Sequence, residues 1–257
     1  MRRLVTVLLC ASIVGALVLA GSALAQGVVL PLPPEDQAEI TSLLGPGVVG
    51  NALPSKPVGD PSAYFPLQPR ALSYQVKSGS NSGQTQTLQI ARGSRPDGDP
   101  AWRFQLSPTL AGFLRQTEQG DLVMPAVSDT DEGVIVVTTP ANPFVLKGMK
   151  PGESRTLTQT VAVNYLDDPT KQDYTGSLNG SYTFVGTYDV TVPAGTYAAD
   201  LFRLAYEGKV GPAHTKDTAY YFFAPGTGVV AMISQEDVEA FWIIHIDTST
   251  GKVLSSS

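Results

Sequence analysis

Over residues 181–192 apolar and polar side chains alternate. Tyr182, Phe184, Tyr188, Val190 and Val192 point one way, and Ser181, Thr183, Thr187, Asp189 and Thr191 the other. A period of two belongs to an extended strand, here with one buried and one wet face. Residues 219–223 are instead aromatic on both sides, and residues 241–246 are apolar on both sides except at His245. A strand without a wet face is covered twice, by a core and by a second layer such as a docked helix, another sheet or a ligand.

The same reading predicts strands over residues 72–77, 84–91, 101–106, 113–118, 122–124, 134–138, 154–165, 180–192, 197–206, 217–223, 229–234 and 240–247. Gly- and Asp-rich turns separate them, as at Ser78 to Gly83 and Pro96 to Pro100. Two hairpins are nearly written out, one turning at Pro193-Ala194-Gly195 and the other at Pro225-Gly226-Thr227-Gly228. No helical period follows residue 70. The predicted class is all-β: an antiparallel incomplete barrel or curved sheet of about 10–12 strands over residues 62–254.

The chain before that domain has a different texture. Residues 1–25 read as a signal peptide: Arg2 and Arg3, an apolar run over residues 4–20, then the small-residue site Ala23-Leu24-Ala25. The run is short for a membrane span. The expected mature chain starts near Gln26, has no transmembrane segment, and is periplasmic or secreted. Residues 26–61 form a Pro/Gly-rich linker with a short helix over residues 34–44, opened by Pro34, Glu35 and Asp36 and stopped by Gly45-Pro46. So short a helix needs a docking surface for Ile40, Leu43 and Leu44, either its own β domain or a partner. The linker composition leads us to expect that the β domain folds without residues 26–60.

The two hairpin blocks, Val190 to Tyr197 and Phe223 to Val230, resemble a family of exported bacterial proteins of unknown function. That family carries V-x-V-P-A-G-T-[FY] followed by an aromatic-rich Y-A-P-G-x-G-x-V, with Phe223 here in the Tyr position. The opening Tyr64-Phe65-Pro66-Leu67 followed by Tyr74 is also similar. The resemblance implies a fold like the periplasmic lipoprotein carriers, a half-barrel with a greasy concave face. It implies no catalytic residues, and a shared fold does not carry carrier activity with it.

Charge and cysteine remove several functions. The formal net charge is −6 and becomes more negative without Arg2 and Arg3. That field disfavours nucleic acid and anionic headgroups as partners. The single cysteine, Cys10, lies in the signal, so the mature chain has no disulfide, no thiol nucleophile and no thiolate metal site. Residues 45–50 match a dinucleotide fingerprint in letters only, because they follow a helix and contain Pro46. Only His214 and His245 exist, too few for a three-histidine zinc site. Carboxylates gather at Asp129, Asp131 and Glu132, at Asp167 and Asp168, and at Glu236, Asp237 and Glu239. Such clusters beside turns read as solvated surface rather than a glycosidase pair or a calcium loop.

What remains is aromatic density in the C-terminal third. Tyr182, Phe184, Tyr188, Phe202, Tyr220, Phe222 and Trp242 are the candidate ligand-binding residues. They fit an apolar groove for a hydrophobic or lipid-like ligand equally with an ordinary sheet core. The expected function is a non-enzymatic periplasmic binder without cofactor or metal. The alternatives are an envelope assembly module docking to a protein partner and, more remotely, a carboxylate-dependent hydrolase.

Overall fold

The computed structural model describes residues 27–240 and 244–256, without the side chains of residues 240, 244 and 245. The predicted signal peptide over residues 1–25, Trp242 and the side chain of His245 lie outside the described residues. Twelve antiparallel strands follow in chain order: β3 (Arg70–Val76), β4 (Thr85–Ser94), β5 (Pro100–Gln105), β6 (Leu110–Gln116), β7 (Leu122–Asp129), β8 (Val134–Val145), β9 (Ser154–Tyr165), β10 (Gln172–Val192), β11 (Gly195–Val210), β12 (Ala213–Ala224), β13 (Gly228–Ala240) and β14 (Ile244–Ser256). Each pairs with the next, and β14 pairs with β3. The barrel is therefore closed, which corrects the predicted incomplete barrel. An edge strand leaves a row of unpaired N–H and C=O groups, and closure removes it.

Four further elements precede or flank the barrel: β1 (Val28–Val29), α1 (Pro34–Leu44), β2 (Val49–Ser55) and α2 (Pro61–Tyr64). The 21-residue β10 pairs with β11 along one edge and with two strands in turn along the other. Its first half pairs with β9 from Gln172 to Thr183, and its second half pairs with β2 between Thr187 and Val190. The register shifts between Phe184 and Gly186. A bulge inserts one residue and turns the following side chains to the other face. Tyr182 and Phe184 point inward while Tyr188, Val190 and Val192 lie on the outer face, Tyr188 beside α1, so the single buried face read from the sequence is split in two.

Alternation shows what the barrel faces. On β4, Thr85, Thr87 and Gln89 are exposed while Gln86, Leu88 and Ile90 are buried. On β9, Thr156, Thr158 and Thr160 are exposed while Gln159 and Val161 are buried. Polar side chains outside and apolar ones inside suit water, the reverse of a lipid-facing barrel. The β10–β11 ribbon needs glycine at residue 180, where a Cβ would sit 2.0 Å from the Ala205 carbonyl oxygen. At the β10–β11 turn Gly195 has φ of 140°, the positive region that favours glycine.

The doubly aromatic strand β12 is covered from both sides. Tyr221 and Phe223 point inward, and Tyr220 and Phe222 point outward beneath the N-terminal segment. Helix α1 starts with Pro34 at its first turn and ends at Gly45, whose N–H donates to the Thr41 carbonyl. It lies outside β13 and β14 with Ile40 and Leu44 buried. Asp36, fully buried, accepts from Arg203 Nη1 at 2.6 Å and from the Tyr220 hydroxyl at 3.0 Å. Composition marks this stretch as linker, yet it forms a covering layer held by an ion pair.

Candidate functional site

The barrel interior is filled at one end and hollow at the other. At the filled end α2 brings Phe65 into the lumen. Its ring meets Phe104 and Phe144 edge-on at 5.1 Å each, and Phe144 meets Phe223 at 5.0 Å. These rings come from β5, β8 and β12, so they touch only across the inside of the barrel. Phe202 on β11 stacks on Phe184 at 4.7 Å and on Tyr182 at 5.5 Å. The Tyr182 hydroxyl donates to the Phe144 carbonyl at 2.7 Å, tying β10 to β8 across the lumen. Below this layer Asp200 accepts from Thr187 Oγ1 at 2.5 Å, and burial raises its pKa.

Above the aromatic layer lies a cavity of about 510 Å³. Its apolar wall comprises Leu106, Leu110, Met124, Val127, Val134, Val136, Phe144, Leu178, Leu204 and Tyr221. Its lining also reaches Ser107 and Thr109 between β5 and β6, and Glu132 between β7 and β8. These turn residues set the opening at that end of the barrel. This volume lies in the range of small-molecule sites, which combine apolar walls with a few polar groups.

The polar groups have a common sign. Asp129, Glu132, Asp217 and Glu236 line the cavity, and no Lys, Arg or His does so among the described residues. Burial pushes the Asp217 pKa up. Burial likewise raises Glu236, followed by the charges of Asp217 and Asp129. Burial holds the Tyr206 hydroxyl well above its ordinary value, with the Asp217 charge adding to it. Thr138, only 7 % exposed, lines the wall with an Oγ1 that has no hydrogen-bond partner. Lys252 is also an interior side chain, 7 % exposed, and its Nζ donates to the Leu106 carbonyl at 2.5 Å. No group of His, Cys, Asp and Glu among the described residues is arranged to hold a metal ion.

The residues predicted for the ligand site are distributed over three places. Tyr182, Phe184 and Phe202 form the stacked layer beneath the cavity. Tyr220 and Phe222 are outside the barrel under α1. Tyr188 is outside as well, on a second cavity of about 260 Å³ between α1 and β2, where its buried hydroxyl lacks a partner. Burial pushes that hydroxyl up to about 12. Phe144, Tyr221 and Thr138, which do line the larger cavity, are not among the predicted site residues. Tyr221 carried a signal in its period-two relation to Phe223, but Tyr220 and Phe222 carried the same signal for the opposite face.

The carboxylate clusters read as solvated turns are partly something else. Asp129 Oδ1 does cap its turn, accepting from the Asp131 N–H at 2.9 Å. Yet Asp129 and Glu236 come from two separate clusters and meet Asp217 at one cavity. Nothing local announces this, because the meeting depends on which strands close the barrel.

No protein-family model matches the chain, and no curated protein matches it. A solved structure that does is that of a "putative lipoprotein" from Parabacteroides distasonis ATCC 8503, at 10% identity over 75% of this chain and 97% of that one. Its TM-score is 0.34, too loose a superposition to carry an argument about this chain. The resemblance in the two hairpin blocks therefore rests on those residues. Among the described residues, no helix is long and apolar enough to cross a membrane.

Proposed function

We propose that this chain is an exported, non-enzymatic β-barrel that binds a hydrophobic or lipid-like ligand in its interior. The observation that carries this reading is the 510 Å³ cavity bounded by Phe144, Tyr221 and aliphatic side chains of β6, β7, β8, β10 and β11. A twelve-stranded barrel is wider than its own side chains readily fill. Here one end is filled by Phe65 and its neighbours, while the other keeps room. An apolar ligand entering that room leaves water and gains contact with both walls. Export rests on the sequence of residues 1–25. The test is uptake of a neutral fluorescent probe such as N-phenylnaphthylamine by the purified protein. Bright, saturable binding that falls in Tyr221→Ala is expected, and a folded protein that takes up no apolar probe overturns the reading.

Burial of Ile40 and Leu44 of α1 against this chain's own barrel favours the binding reading over the assembly-module alternative. The hydrolase alternative draws support from one observation, the raised pKa values of Asp217 and Glu236 beside a cavity. Product release from an ester or glycoside panel, abolished by Glu236→Gln, would establish it in place of the binding reading.

A further inference from the structure

The cavity is apolar in depth and acidic at its opening, and this asymmetry specifies the ligand further. This step rests on the binding reading above. Three carboxylates from β7, β12 and β13 converge there: Asp129, Asp217 and Glu236. The Asp217 carboxyl accepts from Thr215 Oγ1 at 3.1 Å and is also reached by the Tyr206 hydroxyl and the Asp237 N–H, so its hydrogen-bond donors are neutral and none brings a positive charge. Glu236 feels the charges of both other carboxylates. None of the four salt bridges among the described residues involves any of the three. The Lys252 ammonium is engaged with the Leu106 carbonyl and makes no ion pair there.

Like charges held together in a partly desolvated site repel, and a cation placed among them relieves that repulsion. A carboxylate-headed ligand would add to it. Further in, Thr138 Oγ1 is a polar group without a partner, and it faces the same cavity. A buried polar group is costly until a ligand or water meets it.

We propose that the cavity selects a cationic amphiphile, with its apolar body against Phe144 and Tyr221 and an ammonium or guanidinium end at Asp129, Asp217 and Glu236. A simple fatty acid is the wrong ligand. Its chain fits the wall, but its head group meets negative charge at the acidic end of the site.

The experiment displaces N-phenylnaphthylamine from the full mature protein at neutral pH with dodecylamine, dodecanol and dodecanoate. These three share a chain and differ in head group. Dodecylamine is expected to displace the probe at about tenfold lower concentration than dodecanoate, with dodecanol between them. The advantage of the amine shrinks with added salt, as an attraction between partly exposed charges must. In the Asp217→Asn, Glu236→Gln double variant it falls to about twofold or less. Should that variant fail to give a cooperative melt, the Asp129→Asn single variant and the salt series on the natural chain carry the same comparison. Equal or stronger displacement by dodecanoate overturns the cationic-end inference and leaves the binding reading standing. An amine preference that survives both the substitutions and salt also overturns it. Absence of any probe binding overturns the binding reading itself.

Discussion

Lys252 is an interior cation with a carbonyl rather than a carboxylate for company, and burial pushes its pKa down to about 8. In the unfolded chain it titrates near the ordinary value of about 10.4. Between those values the unfolded state binds more protons than the folded one, so stability rises with pH through that window. Below it the lysine is charged in both states, and its burial costs the fold about 3 kcal/mol. Lys252→Met keeps the length of the side chain and removes the charge. It is expected to raise stability by about 2–3 kcal/mol at neutral pH and to abolish the alkaline rise. Urea titrations of both proteins at neutral and alkaline pH check this. A less stable variant would mean that the hydrogen bond to Leu106 outweighs the desolvation.

Among the elements, α1 is where composition and structure point in different directions. The stretch has the Pro and Gly of a linker, but Asp36, Ile40 and Leu44 are buried on the barrel and cover the outward rings of β12. Removing them would expose Phe222 and Tyr188 and leave Arg203 without its carboxylate. Losing one partner of a buried ion pair costs about 3–5 kcal/mol, somewhat less here because Arg203 is partly open to water. We therefore expect a chain beginning at Asp60 to melt at least about 10 °C below one beginning at Gln26. The sequence reading expected independent folding, and equal melting temperatures would uphold that instead. The Asp36→Asn variant separates the two causes, since it breaks the ion pair while leaving the apolar cover in place.

At the scale of the whole barrel, three interior carboxylates respond to pH together. Burial raises the pKa values of Asp200, Asp217 and Glu236 in the folded state. A carboxyl whose folded value is raised holds its proton longer in the native state than in the unfolded one. Its contribution favours the fold most at acid pH and is lost as pH climbs from about 4 through the raised values. Asp97 and Asp60 are shifted the other way, chiefly by hydrogen bonds from Arg95 and Ser62, but both are on the surface, where such shifts are worth little. The melting temperature should thus fall from mildly acid to neutral pH. The slope should flatten in the Asp217→Asn, Glu236→Gln double variant. A flat profile in the natural chain would show that water reaches these groups freely.

The all-β class, the antiparallel order, the two turn-bounded hairpins and the existence of a second layer over β12 were legible along the chain. Each of these follows from neighbours along the chain: a period of two, a turn residue at a fixed offset, an aromatic on both faces. Closure of the barrel came from the tertiary structure alone, because the pairing of β14 with β3 joins residues far apart in sequence. The tertiary structure also set which aromatics face the lumen. One bulge after Phe184 sends Tyr188 outward, and alternation cannot report an inserted residue. The acidic opening was hidden for the same reason. Asp129, Asp217 and Glu236 each look like ordinary polar residues near a turn or a strand end, and their shared charge acquires meaning only when three strands bring them to one hollow.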